Sequence, residues 1–170
     1  MKPQLQKHRF NDGSGVVGDC HRTCIAMMLN MDRDDVPHFM ADVPYHTDAQ
    51  HPLQVAAAQA EQAWLAQFGL TALSLPYSGE APLEQLLDQI RMTGNGAPVL
   101  LGCTSGNGVN HSVVVWEGQI YNPNGDGGII AGPMADGYWW LTIYSVGPNY
   151  VARSQPVFTH EHLVQGSAPR

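Results

Sequence analysis

The chain has 170 residues, 44% hydrophobic and 14% charged, with a formal net charge of −7. That length suits one domain with a real core, and the acidic balance excludes the basic face that a nucleic-acid partner needs. No run approaches the roughly 18 apolar residues of a membrane helix.

"MKPQLQKHRFNDG" (1–13) is followed by no apolar stretch, so it does not read as a secretory signal. Three cysteines at irregular spacing make no disulfide framework. The expectation is a cytoplasmic protein with reduced thiols and no membrane contact. Residues 1–18 read as extended and loop-like. A helix starts at Cys20, with Asp19 as N-cap and with Cys24, Met28 and Met31 at helical spacing. Pro37 closes that region, because the residue before a proline is pushed out of helical geometry.

A second helix runs from about Pro52 to Phe68, with Leu53, Ala57, Ala60, Trp64 and Phe68 on one face and Gly69 at its end. "LTALSL" (70–75) reads as a short strand, and Leu83, Leu86, Leu87 and Ile90 mark a third helix. The second half is strand-like. "APVLLGCT" (97–104), "HSVVVWEG" (111–118), "QIYNP" (119–123) and "YWWLTIYSV" (138–146) are rich in β-branched and aromatic residues. "WEGQIY" reads as a tight hairpin. The fold class expected is α+β, a single domain over 1–160 with N-terminal helices packed on a C-terminal antiparallel sheet and a frayed tail over 161–170.

The chemistry centres on "GVVGDCHRTC" (15–24). A helix N-terminus carries partial positive charge and unpaired N–H groups, so a thiol there is biased toward thiolate and has donors at hand for an oxyanion. A thiolate nucleophile needs an imidazole to carry its proton, and the imidazole needs an acceptor to hold its tautomer. His111 heads a strongly β run, and Asn122 follows the hairpin, so pairing of the two strands sets the amide beside the imidazole. Asp126 is the other possible acceptor.

These residues carry a resemblance. "GDCHRTCIAMMLNMDRDDVPHF" resembles a G-[DN]-C-x-x-[AT]-C-[IL]-A block of small papain-like proteins of bacteria and their phages. It is also similar to the cysteine block of peptidase domains that trim double-glycine leader peptides. The resemblance spans roughly residues 4–146, with the first block its most specific part. It implies the papain-like cysteine peptidase fold, with Cys20 as nucleophile, His111 as the histidine and Asn122 in the third position. It further implies an upstream glutamine for the oxyanion: Gln6, with Gln4 as the spare, provided that "GSGVV" is an inserted loop. The activity implied is hydrolysis of an amide, isopeptide or thioester bond in a protein or peptide substrate, with no cofactor. A catalytically idle papain-like scaffold that binds or inhibits a protein is the alternative.

Other features read more plainly. Cys24, one turn below Cys20, is core or a resolving thiol, and a zinc site from Cys20, Cys24, Cys103 and His111 lacks any usual ligand spacing. His21 is expected on a different face from Cys20. One of Trp139 and Trp140 is expected in the core and the other free to wall a substrate site, with Trp116 ambiguous. "NPNGDGGIIAGPMADG" (122–137) lacks the calcium-loop spacing, and "TSGNG" (104–108) lacks a phosphate-loop lysine.

Overall fold

The computed structural model describes residues 1–44 and 50–146. The expected tail over 161–170, and residues 147–160 of the expected domain, lie outside the described residues. The described elements, in chain order, are α1 (Cys20–Leu29), a single 3₁₀ turn (Arg33–Asp35), α2 (Pro52–Ala66), β1 (Leu70–Ser78), α3 (Leu83–Thr93), β2 (Val99–Ser105), β3 (Asn110–Trp116), β4 (Gln119–Tyr121), β5 (Ile130–Gly132) and β6 (Tyr138–Val146). The strands form one six-stranded antiparallel sheet in the order β1-β6-β2-β3-β4, with β5 pairing on β2. The architecture is therefore α+β.

The pleat of β2 and β3 explains why "VLLGC" and "SVVVW" are apolar without alternation. Leu101, Cys103, Val113 and Val115 face one way and pack with Leu86 and Ile90 of α3 and with Trp139. Leu100 and Val114 face the other way, onto Cys24, Ile25, Ala26 and Met27 of α1. A strand buried on both faces reads as a continuous hydrophobic run. The helices consequently cover both faces of the sheet rather than lying together on one side of it.

Local chemistry sets the element ends. Pro52 opens α2, and the His51 ring accepts the Leu53 N–H. Asn30 ends α1 in a left-handed conformation, returning its N–H to the last carbonyls of the helix. Glu117 and Gly118, both with positive φ, make the tight β3–β4 turn. The buried line of α2 is Ala57, Glu61 and Leu65, one step round from the expected face, while Leu53 and Phe68 are exposed. Trp64 turns half inward and stacks edge-on between Phe39 and Phe68. β1 continues to Ser78, and the backbone of its outer edge is met at Ala72 by the Gln62 side chain, which both donates to it and accepts from it.

Candidate active site

The site lies where the N-terminus of α1 meets the start of β3. Asp19 occupies the N-cap position but makes no capping hydrogen bond. Its buried Oδ1 instead accepts the Lys7 and His8 N–H groups at 2.9 Å each, and its own N–H donates to the His8 carbonyl. The chain thus leaves at residue 9 and returns at 18, with "GSGVV" in the excursion. The short segment before it is tied to the site, because the Gln6 N–H donates to the Pro123 carbonyl.

Cys20, the first residue of α1, is half-buried. The backbone N–H groups of Ser112 and of His21 face its sulfur. Burial pushes the thiol up from its ordinary value, and those two donors, together with the charge of His21, pull against it. Cys24 and Cys103 are fully buried core residues; burial holds Cys24 well above the ordinary range and pushes Cys103 up to about 12.

His111 is almost fully buried, and its Nε2 lies 3.0 Å from Asn122 Oδ1. The same Oδ1 accepts the Asn124 N–H at 2.9 Å, which identifies it as the oxygen of the amide. Nε2 must then be the donor, and Nδ1 is left with the lone pair of the neutral ring. Burial pushes the His111 pKa down, against the smaller upward effect of Asn122. Gly128 packs on this amide so closely that a Cβ there would come within 2.4 Å of Asn122 Nδ2. The Asn122 register expected from the hairpin holds, and Asp126 is not the acceptor.

Cys20, His111, Gln6 and Trp140 all line one cavity of about 700 Å³. Gln6 Nε2 donates one hydrogen to the His8 carbonyl at 2.8 Å and keeps a second. Gln4 is occupied elsewhere, bonding the Met31 carbonyl and the Arg33 N–H. Trp139 does not reach the cavity: it is 3% exposed, packed among the residues that face α3, and donates to the Ala81 carbonyl. Trp140 is the outward member of the pair, held by Asp136 at 2.8 Å. Trp116 sits at the far end of β3, bonded to the Gly96 carbonyl. Among the described residues, no three or more His, Cys, Asp or Glu side chains are grouped to hold a metal ion.

No family model, curated protein or solved structure matches this chain. The residues of the cavity are therefore the ground for any functional reading.

Reading the sequence missed a second polar group on the same cavity wall. His21 shares the cavity with Cys20 instead of turning away from it. Its Nε2 lies 2.7 Å from Glu61 Oε2, Tyr144 donates to Glu61 Oε1 at 2.9 Å, and Ser112 Oγ is 3.4 Å from His21 Nδ1. Burial opposes both charges, but each partner overrides it: Glu61 holds the His21 pKa up, and His21 with Tyr144 holds the Glu61 pKa down. The one signal in the sequence was a lone carboxylate on the apolar face of an alanine-rich helix.

Proposed function

We propose that the protein is a papain-like thiol hydrolase acting on an amide, isopeptide or thioester carbonyl of a protein or peptide. The observation that supports this best is the convergence of a helix-terminal cysteine and an amide-held histidine on one cavity. In the reaction the Cys20 proton passes to His111 Nδ1 and the sulfur attacks the carbonyl carbon, forming a C–S bond and an oxyanion. The Cys20 backbone N–H and the second Gln6 hydrogen receive that oxygen. His111 returns the proton to the leaving nitrogen or sulfur as its bond to carbon breaks. Water, deprotonated by the same imidazole, then releases the acyl group. Asn122 keeps Nε2 protonated throughout, so that Nδ1 is the atom that exchanges protons.

A second reading is an idle scaffold of the same fold, favoured by the burial that raises the Cys20 thiol. A generic activated ester such as p-nitrophenyl acetate separates the two. A hydrolase gives a burst of p-nitrophenolate and an acetyl group on Cys20 by mass spectrometry. Steady release follows, lost in Cys20→Ser and lowered about 10²–10⁴-fold in His111→Ala. Acetylation of Cys20 no faster than that of Cys24 and Cys103, or release that survives Cys20→Ser, overturns the hydrolase reading.

A further inference from the structure

The cavity holds two imidazoles that differ in what holds them. His111 is bonded to a neutral amide, and His21 to a buried carboxylate. Ser112 links His21 to the nucleophile: its backbone N–H faces the Cys20 sulfur, and its hydroxyl meets His21 Nδ1 at 3.4 Å. Glu61 stands at the opposite nitrogen, at 2.7 Å, and is itself fixed by Tyr144. Of this pair it is the imidazole, and not the carboxylate, that acts on the Cys20 thiol.

We propose that His21, paired with Glu61, supplies the positive charge that stabilises the Cys20 thiolate, while His111 rests neutral and is charged only while it carries the proton. This deepens the hydrolase reading and rests on Cys20 being the nucleophile. His21 is a positioning residue here, acting through the thiol.

First, the thiol needs help: it is desolvated, and an opposite charge is what offsets desolvation of an anion. Second, His111 is a poor source of that charge, since Asn122 offers its imidazolium no negative partner and burial disfavours the cation. Third, among the described residues, the other titratable groups that act on the sulfur contribute no cation. They are Asp19 just before it, Cys24 on the same helix and Cys103 on β2. On the cavity wall, Arg9 is directed to the Asn124 carbonyl and Asp136 to Trp140. Held as a cation, His21 donates to Ser112 Oγ and cannot take its proton, so Ser112 is not made a nucleophile by this arrangement.

The test is the pH dependence of Cys20 alkylation by iodoacetamide, followed by mass spectrometry on the full chain. His21→Gln and Glu61→Gln each move the alkylation midpoint up by about one pH unit. The double variant moves it no further than either single one, because Glu61 acts through His21. Glu61→Gln keeps the side-chain shape and serves if His21→Gln fails to fold, as judged by circular dichroism. His111→Ala leaves the midpoint where it is while ester turnover collapses. A midpoint that moves in His111→Ala and stays put in His21→Gln and Glu61→Gln overturns the proposal. Ester turnover at Cys20 would then still stand as the sign of a hydrolase. A wild-type Cys20 that alkylates like an ordinary thiol and forms no acetyl-enzyme overturns both.

Discussion

The two histidines of the cavity are built from different parts of the chain and obey different physics. His111 lies on β3 and Asn122 directly follows β4, its hairpin partner across a two-residue turn, so the two are only eleven residues apart in sequence. The acceptor is neutral, the ring is dehydrated, and the pair costs little to bury because no charge is involved. His21 and Glu61 come from two different helices, forty residues apart, and meet beside a tyrosine, each favouring the charged form of the other. Such a pair is no gift to stability, since desolvating two charges can cancel their attraction. What it does provide is a charge at a chosen place. Proton transfer wants an imidazole able to be neutral, and thiolate formation wants a cation that stays charged, so the two tasks are best given to different rings.

That contrast can be broken or sharpened experimentally. The largest effect is expected on ester turnover, where His111→Ala removes the proton carrier and His21→Gln does not. A loss within threefold for both variants would erase the distinction. Next comes the pH dependence of thermal unfolding. His21 has a folded pKa above its ordinary 6.5, so its contribution is complete below 6.5 and is lost as pH rises through the folded value. Glu61 has a folded pKa below its ordinary 4.5, so its contribution is present above 4.5 and is lost as pH falls through the folded value. The pair is intact in the window between, and Glu61→Gln should cost about 2 kcal/mol there and flatten both flanks. His111, with a lowered pKa, opposes folding only on the acid side, so His111→Ala leaves the alkaline flank unchanged.

Asn122→Asp is the sharper probe, because it makes the first pair resemble the second. Asn122 Nδ2 is buried without a hydrogen-bond partner, so replacing it with oxygen sacrifices no bond. The added charge should raise the His111 pKa by about one unit or more, seen as a shift of its imidazole proton signals on NMR titration. An unmoved titration would mean that the ring is not coupled to residue 122. The smallest effect is expected from Gly128→Ala. Its methyl would displace the Asn122 amide and lower ester turnover about tenfold, with melting little changed.

How much was legible in advance follows from the range of the interactions involved. Asn122 can be read as close to His111 because a hairpin is a local object: a positive-φ Glu-Gly turn pairs Val114 with Tyr121, and that register carries the chain after Tyr121 on toward the start of β3. β6 was bounded correctly at Tyr138–Val146 because aromatic and β-branched residues run unbroken between turn signals. The buried face of α2 was misjudged by one position, because a helix of mixed alanines and large apolar residues offers several faces and the neighbours choose among them. Trp139 and Trp140 alternate as strand residues must, yet only the arrival of α3 on one side of the sheet made Trp139 the inner one.

By itself, then, the sequence determined the α+β class and the helix that begins at Cys20, and it narrowed the partner of His111 to Asn122 or Asp126, because each of these depends on propensity or a short turn. Only the tertiary structure decided that Ser112 would present its N–H to the sulfur and that Glu61 would meet His21. Those contacts join α1, α2, β3 and β6, elements far apart in the chain that become neighbours only when the helices pack on the sheet.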